Sequence, residues 1–277
     1  MKIGIALGLL APKYWNEVAL TADRLGFHSL WMPDHLIFPV DMSGSPFPGT
    51  DHPPVPPQTK LFDAFGYLCF LAAQTRHIRL GTNVYLLGLR HPFVAARAIQ
   101  TLDILSGGRA DVGVGAGWLR QEWEACSMDP ATRGKRLDEA LEICKRLWTE
   151  SSVTHQGEFY RFDEVMFEPK PIQKPHPPLY IGGESDAALQ RAVRYGQGWI
   201  GVQHTPTSIQ QPMDQLKNLC RGQQRNFGEL RILTQGQCES KEQLQAWQAS
   251  GVSELILSPW TKGSEALRGL EKLSQWL

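Results

Sequence analysis

The chain has 277 residues, is 42% hydrophobic, and sets 28 basic against 28 acidic residues for a formal net charge of zero. That length and apolar content suit a large α/β domain with a sizeable core, and with no basic excess nothing points to nucleic acid or an anionic membrane as partner. The apolar runs are too short and interrupted to span a bilayer, and five cysteines, an odd number without a CxxC pair, argue against a disulfide framework or structural zinc.

From Lys2 the chain enters a strand directly, without signal-peptide anatomy, so reduced thiols in a cytoplasmic protein are expected. Eight short apolar runs read as strands buried on both faces: residues 3–7, 29–32, 78–81, 110–114, 179–181, 198–202, 230–234 and 254–257. Helical patterns alternate with them, over 15–25, 61–74, 93–105, 136–148, 186–195, 209–222, 241–249 and 265–276. In the first, Val18, Ala19, Ala22 and Leu25 recur three and four apart. Eight rounds of strand and helix predict a (β/α)8 TIM barrel, a single domain over 1–277, with insertions after the second strand and before the fifth. The run at 230–234 is weak, which leaves a doubly wound sheet as the alternative.

The first insertion, residues 36–60, holds seven prolines and no periodicity. It leaves the C-terminal end of a strand, where barrel chemistry is done, and is read as a cap over the mouth. The second, residues 151–178, contains a hairpin turning near Gln156-Gly157, followed by stiff proline-rich chain.

Four strand ends carry the candidate chemistry. Asp34 and His35 end the second strand, and histidine titrates close enough to neutrality to exchange protons with a ligand. Gly81-Thr82-Asn83-Val84 ends the third, where Gly and Asn tolerate unusual backbone angles and suggest a bulge or close approach to a ligand. The fourth strand leaves through Gly113-Val114-Gly115-Ala116-Gly117-Trp118; alternate glycines let a flat ligand approach the backbone, but the spacing is not a dinucleotide fingerprint. Glu122 lies just beyond, in a helix start or loop. After the fifth strand, Gly182 and Gly183 precede Ser185, a natural N-cap for the following helix, so exposed amides and the helix dipole make an anion site. Glu184 and Asp186 must then point outward. Arg90 and Arg97 can reach a polyanion, although solvated arginines are the simpler reading, and His204 faces the same rim.

These segments together resemble the luciferase-like monooxygenase superfamily. The resemblance rests on Gly88-Leu89-Arg90-His91-Pro92, Gly107-Gly108-Arg109, Gly113 to Trp118 with Glu122, Arg133-Gly134-Lys135-Arg136-Leu137-Asp138-Glu139, Trp148-Thr149-Glu150, Gly157-Glu158-Phe159-Tyr160 and Ile181-Gly182-Gly183, in order over roughly residues 1–205. It implies an insertion-bearing barrel with FMN or the deazaflavin coenzyme F420 in its mouth. Trp31 with Asp34-His35 is most similar to the F420-dependent branch. There, the position of Asn83-Val84 is a cis peptide behind the ring and the position of Gly182-Gly183 takes the cofactor phosphate. The resemblance thus assigns Asp34 and His35 to catalysis, and Asn83, Val84, Gly115, Gly117, Trp118, Gly182, Gly183 and Ser185 to the cofactor, with no metal.

One position departs from that branch. Its sugar-phosphate and alcohol dehydrogenases carry a catalytic glutamate where this chain has Trp118. An aromatic side chain covers a ring instead of donating a proton, which moves the acid's role to His35 or another group.

The expected activity is hydride transfer between F420 and a small organic substrate. The alternatives are an FMN-dependent monooxygenase with a partner flavin reductase, a barrel hydrolase, and a flavin-binding protein without catalysis. An F420 reductase is a further possible partner, and a homodimer is compatible with the neutral charge.

Overall fold

The computed structural model describes residues 1–47 and 49–277. Eight parallel strands close into a barrel: β1 (Lys2–Ala6), β2 (Ser29–Met32), β3 (Arg79–Tyr85), β4 (Ala110–Val114), β7 (Leu179–Gly182), β8 (Gly198–Gly201), β9 (Arg231–Gln235) and β10 (Glu254–Leu257). Closure runs β1-β10-β9-β8-β7-β4-β3-β2. Between β4 and β7 the chain inserts an antiparallel hairpin, β5 (Val153–Gln156) with β6 (Arg161–Val165). The closed barrel removes the doubly wound alternative, and both insertions lie where the sequence predicts them.

Helices cover the outside: α1 (Trp15–Arg24), α2 (Ala64–Gln74), α3 (Pro92–Leu105), α4 (Arg120–Ala125), α5 (Arg133–Thr149), α6 (Asp186–Tyr195), α7 (Gln210–Gly222), α8 (Lys241–Ala249) and α9 (Ala266–Ser274). None is long and apolar enough to cross a membrane.

The interior of the barrel is built by size. Trp31, Tyr180, Ile200, Leu233 and Ile256 pack together inside it, with Ala6 and Val84 against them. Glycines opposite the large rings make this possible. A Cβ on Gly81 would stand 2.6 Å from the Trp31 ring, and one on Gly198 would stand 2.8 Å from Tyr180. Gly81, read from sequence as a place for ligand to meet backbone, is instead the space Trp31 occupies.

Beneath that layer, towards the N-terminal ends of the strands, charged groups pair. Glu254 is fully buried and accepts from Ser29 Oγ, from Trp31 Nε1 at 2.9 Å and from Arg231 Nη2 at 3.0 Å. Arg79 holds the buried Asp111 through two bonds of 2.6 and 2.9 Å. Such paired, hydrogen-bonded ions are the form in which charge is tolerated in a core.

Candidate active site

The C-terminal ends of the strands open into a cavity of about 1820 Å³. Its floor is the top of the interior layer, lined by Ala6, Val84, Ile200 and Ile256. The strand β3 runs four residues past its predicted end, to Tyr85, and its register against β4 shifts between Thr82 and Tyr85. The Asn83–Val84 peptide inside that bulge is cis.

Val84 also explains two of the glycines. A Cβ on Gly115 would lie 2.5 Å from Val84 Cγ2, and one on Gly182 would lie 2.6 Å from Val84 Cγ1. The two glycines flank the bulge and receive its side chain. At Gly115, which also lines the cavity, the absence of a side chain makes room for Val84. Asn83 points a buried Nδ2 that has no partner among the described residues, and the residue lines the cavity. An unpaired buried donor is costly, so Asn83 Nδ2 is a donor available to an acceptor in the cavity. A flat, apolar ring with carbonyl edges fits that floor and that donor.

On one side of the floor, β7 empties into the start of α6. Gly183 adopts φ +117°, open chiefly to glycine, and a Cβ there would lie 3.1 Å from Ala188. Ser185 caps α6, its Oγ accepting from Ala188 N at 3.2 Å. Gly183, Ser185 and Arg133 all line the cavity. Arg191 nearby is paired with Asp138 at 2.5 Å. Asp186 is exposed, and Glu184 turns aside to accept from Val202 N at 2.7 Å and to meet His204 Nε2 at 3.1 Å. Both acids thus leave the helix end free for an anion.

On the other side stands His35. Its Nδ1 lies 2.7 Å from Glu122 Oε2, and its ring meets Trp118 edge-on at 5.8 Å. Glu122 is fully buried on α4, and its Oε1 accepts from Leu36 N at 2.6 Å. Trp118 lines the cavity beside Gly117.

Asp34 is adjacent in sequence but differently employed. It grips Arg90 through two bonds of 2.7 and 2.8 Å and accepts from Leu86 N at 2.9 Å. Burial pushes the Asp34 carboxyl up, and the Arg90 guanidinium opposes that push. With both oxygens engaged, Asp34 ties the end of β2 to the end of β3 while lining the cavity. Arg90 is no solvated surface cation. Neither contact was visible in sequence, since Asp34 and Arg90 are 56 residues apart and His35 and Glu122 are 87 apart.

The cap residues 36–60 continue the wall from His35, with Phe38, Phe47, Pro54, Val55 and Pro56 facing the cavity. Pro48 lies outside the described residues. Trp15, Phe62 and Trp260 extend this apolar wall, and the cations there, Lys13 and Lys60, are exposed. Among the described residues, no group of three or more His, Cys, Asp or Glu is placed to hold a metal ion.

A closed parallel barrel whose capped mouth sets a glycine-bearing helix start and a histidine over an apolar floor has the layout of a barrel enzyme, with its cavity at the C-terminal ends of the strands. The chain belongs to the luciferase-like monooxygenase family, whose pattern matches residues 4–267, and is accordingly an oxidoreductase. An uncharacterised protein of Mycobacterium tuberculosis is 30% identical over 259 residues, 92% of this chain and 91% of its own. The oxygenase component of a flavin-dependent trigonelline monooxygenase from Acinetobacter baylyi is 30% identical over 195 residues, 70% of this chain and 48% of that protein. An F420-dependent glucose-6-phosphate dehydrogenase of Kineococcus radiotolerans is 32% identical over 194 residues, 69% of this chain and 52% of that protein. In fold, the chain is similar to an F420-dependent secondary alcohol dehydrogenase in complex with an F420-acetone adduct, with TM-score 0.81 at 16% identity over 100% of this chain and 98% of that one.

Proposed function

We propose that this oxidoreductase uses coenzyme F420 in the barrel mouth and passes a hydride between the coenzyme's ring and a small organic substrate held under the 36–60 cap. The observation that carries the reading is a shared wall: Asn83, Val84, Gly183, Ser185 and His35 open on one cavity. When bound, the coenzyme supplies the two-electron redox chemistry.

The chain's own residues do the rest. Val84 would back the ring, and Asn83 Nδ2, buried without a partner among the described residues, would be the donor offered to it. Gly182 shapes the turn by receiving Val84, while Gly183, Ser185 and the N-terminus of α6 take the phosphate, with Arg133 at hand. His35 orients the substrate and gives or takes the proton that accompanies hydride. Asp34 and Arg90 hold the strand ends that carry His35 and the bulge. The aromatic cap wall favours an uncharged aromatic or aliphatic substrate, because the cations near it are solvated.

A second reading is an FMN-dependent monooxygenase served by a partner reductase. Trp118, standing where F420-dependent dehydrogenases have an acid, favours it, as does the similarity to the trigonelline oxygenase component. In that case the cap's task is to exclude water. The hydrolase reading loses support, since the carboxylates at these strand ends, Asp34 and Glu122, are both engaged within the protein.

Titration with F420 and, separately, with FMN, followed by fluorescence, tests the choice. Saturable binding of F420 alone supports hydride transfer, and FMN alone supports the oxygenase. Binding of neither would overturn both readings.

A further inference from the structure

The carboxylate of Glu122 serves two clients at once. Its Oε2 meets His35 Nδ1 at 2.7 Å, and its Oε1 accepts from Leu36 N at 2.6 Å and from Ile37 N at 3.4 Å. Leu36 and Ile37 are the first residues of the cap. Glu122 itself is 0% exposed, and it reaches these groups from α4, the helix that follows β4.

The pairing constrains where the imidazole carries its hydrogen. A neutral imidazole has one donor nitrogen and one acceptor. An ionised carboxylate only accepts, and here two amides already donate to its other oxygen. The ring therefore donates from Nδ1, which leaves the Nε2 lone pair for whatever stands in the cavity. Phe38 at 4.6 Å and Trp118 at 5.8 Å bracket the ring and limit its rotation. Among the described residues, nothing bonds to Nε2.

We infer that Glu122 is the positioning residue of this site: it fixes His35 as the Nδ1–H tautomer and pins the root of the cap to the same carboxylate. His35 is thereby set to take a proton at Nε2, and the cap cannot leave its root without disturbing the ring's orienting bond. The functional meaning rests on the reading of His35 as the proton-exchanging group, while the tautomer itself does not.

The test is a long-range 1H–15N correlation spectrum of the full chain, labelled at histidine, at a pH where the ring is neutral. The His35 signals are assigned by their loss in His35→Asn. The wild-type spectrum is expected to show a single Nδ1–H tautomer. Glu122→Leu is expected to convert the ring to the Nε2–H form that free histidine favours. Glu122→Gln is expected to keep Nδ1–H, because an amide oxygen still accepts from the ring. Its amide nitrogen then faces Leu36 N–H, so hydrogen exchange at Leu36 rises by an order of magnitude or more.

A wild-type ring in the Nε2–H form, or averaging between forms, would overturn the inference, and that result needs no variant to fold. Retention of Nδ1–H in Glu122→Leu would overturn it equally. Failure of cofactor binding is read separately, by titration, and strikes the functional proposal while leaving the tautomer standing.

Discussion

Val84 shows how a bulge governs its neighbours. Its two methyl groups occupy the places where Gly115 and Gly182 would otherwise carry side chains. Gly182→Ala should overpack this contact and cost about 1–3 kcal/mol, measurable by urea unfolding. Val84→Ala in the same chain should recover part of the loss, so the two changes together cost less than their sum. Strict additivity would remove Val84 as the reason for the glycine. At Asp34 the consequence is electrostatic. The Arg90 side chain is 9% exposed, and Asp34→Ala would strand its charge. A loss of about 3–5 kcal/mol is expected, and a cost below 1 kcal/mol would show that Arg90 finds water or another partner. Sequence reading located Asp34, His35 and the bulge, because strand ends and glycines are local signals. It placed Glu122 beyond the fourth strand without its partners, and took Arg90 as reaching a polyanion or, more simply, as solvated, because the contacts of both are made only on folding.

Among the elements, barrel strands and outer helices were legible through burial and period. Boundaries were less so, and the differences have local causes. The helix predicted from Leu61 begins at Ala64, since Asp63 stands outside it and accepts from Gly66 N at 2.6 Å as an N-cap. Leu61 and Phe62 are thereby released to line the mouth. Asp63→Ala should cost about 1 kcal/mol and raise hydrogen exchange over the first turn of α2. Unchanged exchange there would show that packing, not the cap, fixes this end. The hairpin was legible from alternation around Gln156-Gly157, yet its anchor was not. Glu139 on α5 accepts from Phe159 N at 3.0 Å and Tyr160 N at 2.9 Å, and meets His155 Nε2 at 3.0 Å. The cap was recognised from its prolines and its place after β2. Its apolar inner wall could be assigned only with the barrel beneath it.

The two ends of the whole barrel do different work. The N-terminal end is a stability device, where burial draws His28 down from 6.5 to about 4, helped by the charge of Lys2. Its Nε2 has no hydrogen-bond partner among the described residues, and Glu254 Oε2 is 3.7 Å away. A histidine depressed on folding stabilises the protein fully above its unfolded value. That contribution is lost as pH falls from about 6.5 towards 4. Glu254, raised by burial, works in the opposite sense, so the histidine is isolated by comparing wild type with His28→Gln. Because the ring is partly exposed, its share is about 1 kcal/mol, or roughly 2–3 °C of Tm. The variant's Tm should fall less between pH 7 and 4.5, and parallel curves would exclude His28. The C-terminal end carries the site, as parallel barrels dictate, and there the central claim is a mode of binding. It is tested most directly by a crystal structure of the protein with whichever of F420 or FMN it binds. The account predicts a ring against Val84 within hydrogen-bond distance of Asn83 Nδ2, and a phosphate at Gly183, Ser185 and the start of α6. A phosphate elsewhere on the rim, or a ring with Asn83 Nδ2 still unpaired, would contradict it.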